Sequence, residues 1–153
     1  MPRERKNTDG DFSPQAVCSC RLEFPMREEL DIANITGEVA GAVKDSGLSD
    51  GTVTVFVPGA TGAVTCLEYE PGVVADFKEA MERLVPRNGS YLHNRYQADG
   101  NGHAHVRAGL IGPSLAIPFI SGELIMGTWQ QIVLVNCDNR RRTRRVIVQV
   151  TGI

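Results

Sequence analysis

Strand-like runs gather towards both ends of the 153-residue chain, with helical spacing between them, and that distribution restricts the fold more than any other feature. The opening run "AVCSCRLEF" alternates small or apolar side chains with polar ones and reads as a strand stopped at Pro25. Near the other end, "PSLAIPFISGELIM" gives a strand, a turn at Ser121-Gly122 and a short strand. "TWQQIVLVN" then reads as a longer strand, Asp138-Asn139 as a turn, and "RRVIVQV" as the return. In between, Ile35, Val39, Ala40 and Val43 recur at helical intervals before the stop "DSG". Gly37 and Gly41 weaken that helix intrinsically and are expected to let it approach a sheet closely. Two β-branched runs flank the bend "PGATG", and Val73, Val74, Phe77, Met81, Leu84 and Val85 form one apolar helical face closed by Pro86. No regular βαβ alternation appears. The expected fold class is therefore α+β: a single domain with a mixed or mainly antiparallel sheet and two main helices.

The length suits one domain, placed at residues 15–153, preceded by a charged, polar leader over residues 1–14. That leader lacks the apolar centre of a secretory signal, and no stretch is apolar enough to span a bilayer, so the expected setting is cytoplasmic. A net charge of -2 gives no global reason to bind nucleic acid or an anionic membrane. "NRRRTRR", residues 139–145, is the local exception and reads as the solvated tip of a hairpin. Cys18, Cys20, Cys66 and Cys137 resemble small buried side chains and are expected to be free structural thiols, not a disulfide framework or a zinc knuckle.

All three histidines, His93, His103 and His105, fall in "YLHNRYQADGNGHAHVRAGLIG". Imidazole is the commonest metal ligand and the side chain that titrates nearest neutral pH. On an extended segment His103 and His105 would share a face, with His93 arriving from across the loop, an arrangement suited to a divalent ion. Metal, phosphate and acid/base roles all remain open from the spacing. Alternatively, His103 and His105 are hydrogen-bonded residues at the start of a short helix. Glu68 and Glu70 share a strand face and could add ligands or a general base, or simply face solvent. "PGATG" offers backbone N–H groups and the Thr61 hydroxyl, the makings of an anion nest, although it lacks a phosphate-loop ending. Trp129, the only tryptophan, reads first as a core residue and second as an aromatic platform.

Several stretches together resemble the YjbQ-like family of small proteins described as secondary thiamine-phosphate synthases. They are Tyr91-x-His93, "GHAHVRAGLIGPSLAIPF" from Gly102, "GELIMGTWQQIVLV" from Gly122, and the closing "RRVIVQVTG". The resemblance implies an α+β fold assembled as a homo-oligomer, often a trimer. It also implies an activity joining a pyrimidine methyl diphosphate to a thiazole phosphate with release of pyrophosphate. Such chemistry needs an anion and divalent-metal site, zinc or magnesium, and no organic cofactor is evident. On this reading His93, His103, His105 and Glu68 are catalytic, and His93, His103, His105 and Glu70 hold metal. Thr61, Gly62 and Arg107 contact the phosphorylated substrate, while Trp129 and Gln130 wall the pocket. Relatives carry "His-Thr-Ser/Thr-Ala" where this chain has "PGATGAVTCLEYEPG". Pro58 stands at the family histidine, and His103 is the candidate replacement. Two other readings use the same imidazoles: a metal-dependent hydrolase, and a non-catalytic oligomer that binds metal or ligand.

Overall fold

A computed structural model describes residues 15–153; the expected leader lies outside them. The strands are β1 (Ala16–Met26), β2 (Asp31–Asn34), β3 (Gly51–Phe56), β4 (Gly62–Leu67), β5 (Ser114–Ile120), β6 (Glu123–Leu124), β7 (Gln131–Asn136) and β8 (Arg142–Gly152). The helices are α1 (Thr36–Ser46), α2 (Pro71–Leu84), α3 (His93–Tyr96) and α4 (Gly102–Ile111). Five strands form one sheet in the order β1-β8-β3-β5-β6, and three form a second, β2-β7-β4. The strands pair antiparallel in both. This is the expected α+β class, with α4 as a third substantial helix that the spacing did not announce.

Side-chain alternation explains the layering. Ile132 and Leu134 of β7 face the five-stranded sheet, meeting Val53 and Val55 of β3, Val146 and Val148 of β8, and Val39 and Val43 of α1. Val133 and Val135 face the opposite way, onto Met81 of α2 and Ala104 and Ala108 of α4. The three-stranded sheet is thus buried on both faces, which is why "IVLV" is an unbroken apolar run. The small residues Ala104 and Ala108, one helical turn apart, let α4 lie close to that sheet.

Several local expectations change. β1 continues through Pro25 because it is an edge strand, where a missing N–H costs no ladder bond. Gly37 and Gly41 make no close approach; a Cβ at either would meet nothing within 4 Å. Leu84 is exposed instead of sharing the buried face of α2. Of the cysteines only Cys137 is buried; Cys18 is partly covered and Cys20 exposed, and all four are free. Ser121 and Gly122 both take positive φ, 53° and 76°, as a two-residue turn between β5 and β6 requires. By contrast, β7 and β8 do not form a hairpin, because residues 137–141 carry the chain from one sheet to the other. Arg144 is accordingly buried, not part of a solvated tip.

Candidate functional site

The histidine segment folds as α3, a loop and α4, held by contacts local to it. The Asn94 side chain accepts the Gly102 N–H at 2.9 Å, supplying a partner for an unsatisfied donor at the start of α4. Gly102 is required there, since a Cβ would stand 2.5 Å from Tyr91 Cβ. The Tyr91 hydroxyl donates to Pro86 O at 2.6 Å, and the Asn139 amide donates to Asp99 O at 3.1 Å. These bonds fix the loop between the two helices against the β7–β8 crossover.

Because His103 and His105 lie on a helix, their side chains diverge by about 200° around its axis. The same-face arrangement expected for an extended segment does not form. His105 turns towards His93, with ring centroids 4.4 Å apart. Asp99 joins them: one ligand atom from each of His93, Asp99 and His105 lies within 4.8 Å of the others. His93 Nε2 is 3.4 Å from Asp99 Oδ1. Asn101, buried at the N-cap of α4, places its amide at the centre of this group. In the orientation that satisfies its neighbours, the amide nitrogen lies 3.0 Å and 3.2 Å from the Asp99 oxygens, 3.1 Å from His93 Nε2 and 3.2 Å from His105 Nε2. Two imidazole nitrogens and a carboxylate converging on one point are a donor set that fits a divalent metal, zinc in particular.

Beside His105 opens a cleft of ≈ 240 Å³ lined by Gly59, Ala60, Gly62, Ala108, Gly109 and Pro113. The bend "PGATG" is therefore one wall of the histidine site. Arg144 reaches the same bend from beneath. Its Nη2 donates to Thr61 O at 2.7 Å and to Thr61 Oγ1 at 2.9 Å, and its Nε donates to Asn136 Oδ1 at 3.0 Å. The remaining nitrogen, Nη1, lies 3.4 Å from where a side chain at Gly62 would begin. Thr61 Oγ1 also contacts Asp138 Oδ2 at 3.3 Å, and Arg142 donates to that same oxygen at 2.6 Å. Thr61 is thus committed to holding the bend, with Gly62 lining the cleft and the buried Arg144 behind it.

The other proposed site residues lie elsewhere. His103 is fully buried, its Nε2 2.9 Å from Glu29 Oε1 but without hydrogen-bond geometry, and its Nδ1 has no partner among the described residues. Burial holds its pKa below the usual imidazole value, against the pull of the Glu29 carboxylate and with the help of the Arg107 charge. It does not replace the family histidine in this cluster. Arg107 is also fully buried, donating to Val85 O at 2.9 Å and to Glu29 and Glu82, so it is committed to the interior and out of reach of a phosphate. Glu70 caps α2 by accepting the Gly72 and Val73 N–H groups, and these bonds lower its pKa. Glu68, Trp129 and Gln130 line a separate cleft of ≈ 360 Å³ with Cys66 and Gly127. Trp129 is 70% exposed there, not in the core. Sequence reasoning missed Asp99, Asn101 and Arg144. The turn "DGN" between two histidines was the available signal for the first two; nothing local marked the third.

With fold and site in view, residues 21–153 match the model of a single family, described as UPF0047 protein YjbQ-like. The chain belongs to this family. Among its YjbQ-like relatives, a UPF0047 protein of Archaeoglobus fulgidus is 41% identical over 128 residues, covering 84% of this chain and 97% of the relative. A UPF0047 protein of Methanothermobacter thermautotrophicus is 36% identical, covering 85% and 90% respectively. The fold is similar to that of a YbjQ-like protein of unknown function from Sulfolobus solfataricus, with a TM-score of 0.87, 29% identity and coverage of 91% of this chain and 99% of that one. A hypothetical protein from Aeropyrum pernix gives a TM-score of 0.82 at 32% identity, covering 88% and 98%. None of these descriptions names an activity, so the YjbQ-like fold is shown and its chemistry is argued from the site. No helix among the described residues is long and apolar enough to cross a membrane.

Proposed function

We propose that this YjbQ-like chain is a divalent-metal-assisted enzyme acting on a phosphorylated small molecule, with thiamine-phosphate-synthase-like coupling as its reaction. The observation that carries the reading is the convergence of His93, Asp99 and His105 beside the Gly59–Gly62 wall. Two imidazoles in the donor set favour zinc over magnesium, which takes oxygen ligands. A bound ion would supply positive charge to a leaving diphosphate.

The chain's own residues do the rest. In the coupling, the thiazole nitrogen forms a bond to the pyrimidine methylene as the methylene–oxygen bond breaks, and the electron pair leaves with pyrophosphate. Negative charge grows on that leaving group. The buried Arg144 guanidinium, bonded to Thr61 behind the bend, would add positive charge there. Among the described residues, the N–H groups of Gly59, Ala60 and Thr61 find no backbone carbonyl, which leaves them for the same anion. Leu92 just before α3, Tyr96 on α3, and Val106 and Leu110 on α4 are exposed. A second copy of the chain in a trimer would cover them and dry the cleft. A cytoplasmic setting, which keeps the four thiols reduced, belongs to this reading.

The test is turnover of the two thiamine precursors by protein purified without a histidine tag, repeated with His93→Ala and His105→Ala. Thiamine phosphate and pyrophosphate should appear with the wild type, and each variant should lose most of the rate. Unchanged turnover in both variants would remove the site. A second reading, metal-dependent hydrolysis of a phosphate ester, is favoured by the small size of the cleft, ≈ 240 Å³, which suits one phosphorylated group better than two rings. It predicts phosphate release from a single substrate and no coupled product.

A further inference from the structure

Asn136, fully buried in β7, ties together two segments that carry arginines. Its Nδ2 donates to Glu28 O at 2.7 Å and to Arg140 O at 3.0 Å. The Arg27 N–H donates in turn to Asp31 Oδ2 at 2.7 Å, which fixes the chain between β1 and β2. Both segments line a cleft of ≈ 450 Å³, walled by Pro25, Met26, Arg27, Arg141, Arg142 and Thr143. It shares no lining residue with the cleft beside His105 or the one beside Trp129. Half of its wall is arginine, and no carboxylate lines it. Arg142 is anchored, since its Nε and Nη2 each lie 2.6 Å from Oδ2 of the fully buried Asp138. Among the described residues Arg27 and Arg141 are exposed and have no ion-pair partner, unlike Arg142 and Arg145. Burial draws the Arg144 pKa below the usual arginine value, and although Asp138 opposes this, the Arg142 charge adds to it. Positive charge is therefore concentrated at the start of β8, in a chain whose net charge is -2.

We propose that this cleft is a second anion site, separate from the histidine cleft, and that it takes the triphosphate group of a small molecule. Guanidinium forks meet phosphate oxygens in pairs, so three arginines around one cleft match a short chain of phosphoryl groups in charge and in geometry. Asp138 holds Arg142 in place before the ligand arrives, which lowers the ordering cost of binding. The fixed backbone at Glu28 and Arg140 does the same for the segments that bear Arg27 and Arg141. A nucleic-acid strand is the poorer fit. No aromatic side chain lines the cleft to stack a base, and the net negative charge of the chain opposes a long polyanion.

The experiment is calorimetric titration of the full, untagged chain with inorganic triphosphate. It is run in His105→Ala, so that the histidine cleft lacks one of its metal ligands, and repeated after adding Arg27→Ala and Arg141→Ala, two exposed positions. Native circular dichroism checks the fold of each variant. His105→Ala should bind triphosphate, and the two arginine substitutions should weaken that binding by roughly 10-fold or more. Orthophosphate should bind more weakly than triphosphate, and added salt should weaken both. Triphosphate affinity unchanged by loss of the two arginines, or no binding in His105→Ala or the wild type, overturns the proposal and leaves the metal reading untouched. Equal affinity for orthophosphate and triphosphate overturns the matching of three arginines to a phosphoryl chain. A single-stranded RNA oligomer that binds more tightly than triphosphate, and is lost with the same two arginines, overturns the small-molecule assignment in favour of a nucleic-acid backbone.

Discussion

Replacing Glu29 by alanine tests whether the buried cluster behind α4 is structural. Arg107 is wholly buried, and its Nη1 donates to Oε1 of Glu29, whose side chain is only 13% exposed, at 2.7 Å. Removing one partner of a buried ion pair leaves an uncompensated charge and costs about 3–5 kcal/mol. Here Arg107 keeps Val85 O and the more exposed Glu82, which places the expected loss near the lower end, about 3 kcal/mol. For a domain of this size that corresponds to a fall in Tm of roughly 6–12 °C. Arg107→Met in the same background removes the stranded charge and should recover part of the loss, which makes the double substitution non-additive. Thermal and urea unfolding followed by circular dichroism measure all three variants. A Glu29→Ala melt within about 1 °C of the wild type would show that the pair does not carry the stability argued for it. Phosphate affinity gives an independent check: it should be unchanged by Arg107→Met, since Arg107 is wholly buried.

His103 gives the fold an acid-side weakness. Its folded pKa lies below the unfolded value of about 6.5, so between the two the unfolded chain binds the extra proton and stability falls as pH drops through that window. In His103→Gln this part of the pH dependence should vanish while zinc affinity is kept; an unchanged slope, or loss of zinc, would contradict the placement of His103. Burial pushes the Cys137 thiol up to about 12, against the opposing Arg144 charge, so alkylation at pH 8 should label exposed Cys20 and leave Cys137 untouched until unfolding. Labelling of Cys137 in the native protein would refute this. If a second copy covers α3 and α4, Tyr96→Glu should lower the mass measured by light scattering from that of an oligomer towards 16.6 kDa. An oligomeric mass unaffected by Tyr96→Glu would move the interface elsewhere.

What the sequence made legible follows from local physics. The α2 stripe, the turn at Ser121-Gly122 and the apolar run of β7 each carry their period or turn chemistry within a few residues. The α4 helix does not, because Gly102, Gly109 and two histidines dilute its propensity, and its stability comes from packing Ala104 and Ala108 on the sheet. That one element decides the site. Once the segment is helical, His103 and His105 part, and Asp99 takes the place expected for His103. The buried role of Arg144 was equally hidden, since it depends on Asn136 and Thr61, residues 8 and 83 positions away. An arginine run read locally is a solvated turn, whereas the crossover between sheets puts one of its members beneath the bend. Trp129 was hidden for the converse reason: a large aromatic is usually covered, and nothing in the described residues covers this one.

The central claim is that His93, Asp99 and His105 form one metal centre facing the Gly59–Gly62 bend. The most direct test is a crystal structure of the full chain grown with zinc and inorganic pyrophosphate. The account predicts one zinc on His93 Nε2, Asp99 and His105 Nε2, with pyrophosphate against the bend. Zinc bound instead between His103 and Glu29, or pyrophosphate held only at the surface arginines Arg27 and Arg141 with no ion on the three ligands, would contradict it.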